Sequence, residues 1–123
     1  MKIIDLNKLQ KEIYKNKVDK GFNITDINKE VCLTNGEVAE VYEAWRKKKD
    51  DLGEELADVA IYLLGLSEIL GIDLEDEIQK KFIKILKENI KLLMVLIQEQ
   101  KNLMKNQKDN LSDNLQFLEQ IVS

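Results

Sequence analysis

Two pairs of acidic residues share one spacing, Glu37 with Glu40 and Glu55 with Asp58. Residues three apart lie on one face of a helix, so each pair presents two carboxylates from adjacent turns. The 14 residues between the pairs allow a turn and a reversal, which would bring all four carboxylates together. Such a cluster needs a cation, because like charges at close range raise each other's pKa. Oxygen ligands without histidine or thiolate favour Mg²⁺ or Mn²⁺, and Mg²⁺ chemistry indicates phosphate-ester or anhydride substrates.

The competing interpretation is that these acids only form a solvated helix face, as most acid pairs on a lysine-rich chain do. Asp58 argues against it, because it is the only charged residue between Leu56 and Leu66. Burying a carboxylate without a compensating partner raises the free energy of the folded state by roughly several kcal/mol. Glu37 and Glu40 also flank the apolar stripe that Val38, Val41 and Trp45 form on the same predicted helix, instead of lying opposite it. The residues therefore favour a site for a hard metal ion.

Composition excludes several other kinds of chemistry. The 123 residues suffice for one domain, and 44% apolar with 34% charged residues is typical of a globular protein. With no histidine and a single cysteine, Ser-His-Asp catalysis, Cys-His catalysis and zinc sites of the Cys/His kind are excluded. The net charge of -4 argues against a nucleic-acid partner. The longest uncharged apolar stretch has eight residues, so we expect no membrane partner and a cytoplasmic location.

The absence of proline and the scarcity of glycine indicate an all-α fold of long helices that positions these acids. Either Thr25 or Asp26 is expected to cap the second helix and Asp73 the fourth, while Gly71 would end the third in a left-handed conformation. The third helix is apolar nearly all round, which predicts burial on several sides, in a bundle or at a subunit interface. The predicted helices cover about residues 5–18, 26–48, 52–70, 73–107 and, after a polar break at 108–110, residues 112–122.

Three stretches resemble the MazG-like all-α nucleoside triphosphate pyrophosphohydrolases. Residues 20–22 read Lys-Gly-Phe, residues 32–46 contain Gly-Glu-Val-Ala-Glu-Val-Tyr-Glu-Ala-Trp, and residues 53–64 contain Gly-Glu-Glu-Leu-Ala-Asp-Val. The hallmark of that family is ExxE, a spacer and ExxD, and this chain has all four acids. The Gly-Ile-Asp-Leu of residues 71–74 is also similar, so the resemblance covers roughly residues 15–85.

The resemblance implies a four-helix MazG-like bundle over residues 1–90 with a helical extension over 91–123 that packs on the core or on a partner subunit. It implies a homodimer or homotetramer and the Mg²⁺-dependent hydrolysis of an NTP, expected to be a dNTP, to the monophosphate and pyrophosphate. Such an activity removes unwanted nucleotides from the pool. By position, Glu37, Glu40, Glu55 and Asp58 would be the catalytic metal ligands, and Lys81 would meet the phosphates.

Other predictions concern the substrate and the alternatives to an enzyme. Lys17 precedes the Gly-Phe break and is a candidate for substrate binding. Many relatives carry an asparagine four residues after the phosphate lysine, and the residue here is Ile85. That departure, with the unusual extension, supports an inactive helical oligomerisation module as an alternative. A third interpretation is that the chain forms a dimer in which the four acids bind a Mg²⁺ that stabilises the structure and takes no part in catalysis.

Overall fold

The computed structural model describes residues 3–122, and these residues fold into four helices. No strand occurs among these residues, which confirms the all-α prediction. The helices are α1 (Leu6–Asp19), α2 (Ile27–Arg46), α3 (Leu52–Ile69) and α4 (Leu74–Val122).

Aspartates begin three of the helices. Asp5, Asp26 and Asp73 each accept a hydrogen bond from the backbone N–H three residues later, at 3.0 or 3.1 Å. A side-chain oxygen in this position satisfies one of the free amides of the first helical turn. Asp73 is confirmed as the predicted cap of α4, and Asp26 is the cap of α2 among the two candidates.

Glycines end α1 and α3 in the same way. Gly21 and Gly71 both have φ +69°, a left-handed conformation that side chains other than glycine's adopt at a cost. In each case the residue after the glycine donates its backbone N–H to a carbonyl of the preceding turn, at 2.9 Å. The predicted left-handed cap at Gly71 is confirmed.

The first compact unit of the chain ends at Gln79, and α3 contacts both α1 and α2 within it. Of its residues from position 3 onward, Ala44 and Leu64 are the buried large or aliphatic apolar ones. Gly65 lets α1 approach α3 closely, since a Cβ at this position would lie 3.4 Å from a methyl carbon of Ile13. Gly65 therefore lies directly against α1, with little room to spare at position 65.

Buried Gln10 fastens α1 to the turn between α3 and α4. Its Nε2 donates to Glu68 at 2.8 Å and to the carbonyl of Ile72 at 2.6 Å, and its Oε1 accepts from the backbone N–H of Leu74 at 3.3 Å. We expect Gln10→Leu to lower the free energy of unfolding by about 1–3 kcal/mol, because it leaves these groups without partners. Urea unfolding measures this, with Gln79→Leu as an exposed control; an equal effect of both changes would contradict the prediction.

Several apolar residues of α3 remain largely exposed in a single chain, among them Leu56, Ile61 and Leu63. The prediction that this helix is buried on several sides within the bundle is therefore wrong for one chain. Among the described helices, α1 and α2 make the main contacts with α3, and they leave these side chains exposed. The other reading, burial at a subunit interface, stays a prediction.

The second compact unit begins at Lys80 and consists of the rest of α4. The predicted break at 108–110 and the separate last helix over 112–122 are wrong, because α4 continues to Val122. Neither glycine nor proline occurs between residues 74 and 122, and polar residues are compatible with an exposed helix. The division into a core over 1–90 and an extension over 91–123 stays a prediction. Among the described helices, none is both long and apolar enough to span a membrane.

Candidate metal centre

A tight turn of five residues joins α2 to α3. Lys48 takes up φ 54° there, and the backbone N–H of Lys49 donates to the carbonyl of Ala44 at 2.9 Å, which closes the end of α2. The polar run over residues 47–51 is thus a turn, as the sequence predicts. The two helices pack against each other, and the acids of one helix face those of the other.

Three of the four predicted acids converge. Glu37, Glu55 and Asp58 each offer a carboxylate oxygen, and these oxygens lie within 4.8 Å of one another. All three residues are half-buried. Glu40 is more exposed and lies outside this group. The structure therefore brings together both acids of the second pair and one acid of the first.

The carboxylates perturb one another. Burial, followed by the charges of Glu40 and Asp58, raises the pKa of Glu37. Burial, followed by the charges of Glu40 and Asp51, raises the pKa of Glu55, and a side-chain hydrogen bond with Glu40 acts on both in the same direction. Glu40 thus interacts with the cluster although it is not one of the three converging oxygens. A cation among these groups would lower their pKa values, because it favours the ionised forms.

One carboxylate oxygen has no partner. Oε2 of Glu55 is buried and forms no hydrogen bond with the described residues. A buried acceptor without a partner costs free energy, so such an exception in a native structure calls for an explanation, and a bound ion is one of those that physical chemistry offers. This oxygen and the carboxyls around it form a set of hard oxygen ligands, which fits Mg²⁺ or Mn²⁺ and does not fit a soft metal ion.

A pocket of about 420 Å³ lies in the first unit, where α1, the segment after it, α2 and α3 meet. Its lining is mostly apolar, with a few polar groups among aromatic and aliphatic side chains. Small-molecule sites commonly have this composition. The lining residues that matter here are Lys17, Phe22, Asn23, Glu30, Leu33 and Tyr62.

A buried ion pair forms one wall of the pocket. The Nζ of Lys17 lies 2.7 Å from Oε2 of Glu30, and their side chains are 13% and 2% exposed. The amide of Asn23 donates to the other oxygen of Glu30 at 3.1 Å. Lys17 therefore lines the pocket, as a substrate-binding residue would, but its ammonium is bound to Glu30. A contact between Lys17 and substrate stays a prediction.

Tyr62 connects the pocket with the acidic cluster. It lies one turn after Asp58 on α3 and lines the pocket. Burial, followed by the charges of Glu37 and Glu30, raises the pKa of its hydroxyl. The Nζ of Lys17 lies 5.9 Å from the centre of its ring, within the range of a cation–π interaction. The sequence analysis misses Tyr62, although its spacing of four from Asp58 places both residues on one helix face.

Lys81, the predicted phosphate lysine, lies in the second unit and is exposed. Ile85, which replaces the asparagine of many relatives, lies one turn further along the same helix and is exposed as well. The predicted contact of Lys81 with phosphates stays a prediction.

Comparison with known proteins identifies the family of the chain. The family model of the MazG nucleotide pyrophosphohydrolase domain matches residues 27–89, just over half of the sequence. The chain belongs to the MazG nucleotide pyrophosphohydrolase domain family, as the acidic motifs predict. Both acid pairs and Lys81 lie within the match, and Lys17 lies before it. No curated protein and no solved structure matches the chain.

Proposed function

We propose that this protein hydrolyses a nucleoside triphosphate, a dNTP in preference, to the monophosphate and pyrophosphate. The observation that carries the proposal is the acidic cluster of Glu37, Glu55 and Asp58, in which Oε2 of Glu55 is buried without a hydrogen bond. Glu37, Glu55 and Asp58 would hold Mg²⁺, with Mn²⁺ as a substitute, and Glu40 would complete the ligand set. When bound, such an ion lowers the pKa of a water and neutralises charge on phosphate oxygens.

The carboxylates of the chain have two tasks in this proposal. Their combined negative charge holds the divalent cation, and their placement on two packed helices keeps the ligand oxygens in position. The partial burial of Glu55 and Asp58 reduces competition from water, which strengthens these charge interactions. Glu54 precedes the cluster on α3 and is exposed, so we propose that its side chain is solvated and has no role in the metal site.

The pocket is a suitable place for the nucleoside. Phe22 and Leu33 offer apolar surface to a base, and Tyr62 lies between the pocket and the carboxylates. A nucleoside in the pocket would direct its phosphates along α3 towards the cluster. Lys17 and Lys81 are the lysines that we assign to the substrate. Lys17 would act from the wall of the pocket and Lys81 on the phosphates.

We further propose that the protein works in the cytoplasm as a homodimer or homotetramer. The outer face of α2 supports assembly, because Val38, Tyr42 and Trp45 are exposed there and Trp45 is 64% exposed. Apolar surface of this kind is typical of protein–protein interfaces. Nucleic acid and membranes are not partners in this proposal.

The direct test is pyrophosphate release from the common NTPs and dNTPs, with Mg²⁺, with Mn²⁺ and with EDTA. We expect release together with the monophosphate from at least one dNTP, and loss of release in EDTA. Orthophosphate instead of pyrophosphate would contradict the proposed bond cleavage. Release that EDTA leaves unchanged would contradict the role of the cluster. No release from a folded protein with saturating metal would favour the inactive helical module.

A further inference from the structure

An apolar residue recurs at every seventh position along α4, from Ile83 to Leu118. All six side chains of this series are between 47% and 60% exposed, although each is large and apolar. We call it the heptad stripe. Its members are Ile83, Ile90, Ile97, Met104, Leu111 and Leu118.

A second series lies three residues after the first and completes the spacing of a coiled coil. Its members are Leu86, Leu93, Gln100, Gln107, Asn114 and Ile121. A straight helix has 3.6 residues per turn, so a strict repeat of seven drifts slowly around it. The repeat stays on one face only when helices wind around each other with 3.5 residues per turn. The first series is apolar at all six positions and the second at three of six, over five complete heptads and part of a sixth, and this is the pattern of a helix that supercoils with another.

The length of the stripe determines which helix can cover it. From residue 83 to residue 121 the two series together extend for about 57 Å at 1.5 Å per residue. The longest of the other described helices, α2, has 20 residues and is about 30 Å long. No described helix other than α4 is long enough to pair along the whole stripe. We propose that residues 83–121 form a coiled coil with the same segment of a second copy of this chain.

The amides of the second series set the direction of the pair. In a parallel pair in register, Gln100, Gln107 and Asn114 each face their own counterpart, and an amide can donate to and accept from a like amide. In an antiparallel pair these residues face the heptad stripe, which is apolar throughout, and their amides would be buried without partners. The segment therefore pairs in parallel.

Most of this surface lies beyond the domain that carries the proposed activity. The family match ends at residue 89, and the stripe continues beyond it from Ile90 to Leu118. The coiled coil thus goes beyond the proposed function, and it holds or fails whether or not the protein hydrolyses nucleotides.

Disulfide formation in the full-length chain tests the proposal. Cys32 is the only cysteine, so Cys32→Ser provides a background without thiols. Gln107→Cys places a thiol in the second series, where two copies in a parallel pair bring their Cα atoms within disulfide reach, about 7 Å. Gln116→Cys is the matched control, because residue 116 lies on the outer face of the next heptad along the helix. We expect the Gln107→Cys chain to form a disulfide-linked dimer at least about tenfold faster.

Equal rates of cross-linking at the two positions would overturn the proposal. Such a result would mean that the segments are only tethered near each other by another interface and collide at random. Analytical ultracentrifugation of Leu111→Asp, with Val95→Asp as the control on the outer face, provides a second measurement. The first change should weaken self-association by at least about tenfold and the second should not. Equal effects of the two changes would also overturn it.

Discussion

Glu37→Gln is expected to lower pyrophosphate release by at least about a hundredfold while the protein remains folded. The substitution keeps the size of the side chain and removes one of the three converging carboxylate oxygens. The remaining groups would hold a divalent cation less tightly, since glutamine carries no charge. The assay is initial rates of release at saturating Mg²⁺, with circular dichroism as the check on folding.

Although Glu37→Gln should lose activity, it should not lose thermal stability when EDTA removes the metal. The pKa of Glu37 is raised in the folded chain, so the folded state holds more protons than the unfolded state in the window from about pH 4.5 up to that raised pKa. This group therefore costs the metal-free protein stability as the pH rises through that window. At pH 7 the Tm of Glu37→Gln in EDTA should equal or exceed that of the unaltered protein. The rise in Tm that Mg²⁺ causes by binding the folded state should be smaller.

Glu43→Gln is the matched control on the same helix. Hydrogen bonds from Lys47 and then from Arg46 hold the pKa of Glu43 below its usual value, so Glu43 stabilises the folded chain at neutral pH. That contribution is lost as the pH falls through the lowered pKa. The control should retain activity and lose a little stability. Normal turnover by Glu37→Gln, or an equal loss in both variants, would contradict the assignment of the cluster.

Lys17→Met is expected to lower the free energy of unfolding by about 3–5 kcal/mol. The change keeps most of the aliphatic stem and leaves the Glu30 carboxylate buried with only the Asn23 amide beside it. A buried charge without its counter-charge is among the most costly changes in a protein. Urea unfolding at neutral pH measures the loss.

The double variant Lys17→Met with Glu30→Met separates the charge effect from packing. It should recover most of the lost stability, because an apolar pair of similar volume can replace a buried ion pair at little cost. Lys47→Met removes the exposed bridge to Glu43 and should cost less than about 1 kcal/mol. An equally small effect of Lys17→Met would contradict the prediction. A raised KM in the folded double variant would support the proposed contact of Lys17 with substrate.

The features that the sequence predicts well depend on neighbouring residues. Helix caps such as Asp26 and Asp73 act within one turn, and Gly71 acts through its own backbone. The approach of Glu37 to Glu55 and Asp58 needs only two helices and one short turn. These interactions lie close together in the chain, so spacing alone indicates them.

The features that the sequence analysis misses depend on contacts between residues far apart in the chain, or on a repeat that extends over many helical turns. Glu30 resembles an ordinary acid in the first turn of a helix, and it is buried because Lys17 and Asn23 reach it from outside α2. The polar run at 108–110 resembles a break when only local polarity is considered. The repeat of seven passes through that run from Met104 to Leu111 and shows that the helix continues.

The turn at Lys48 has a consequence for how the protein folds. All four acids lie between residues 37 and 58 on one helical hairpin, so only a small loop must close before they meet. Contacts of such low sequence separation form early and fast. The pocket instead needs α1 against α3, with Ile13 and Gly65 about fifty residues apart in the chain. The acidic hairpin can therefore assemble first, and the pocket forms around it.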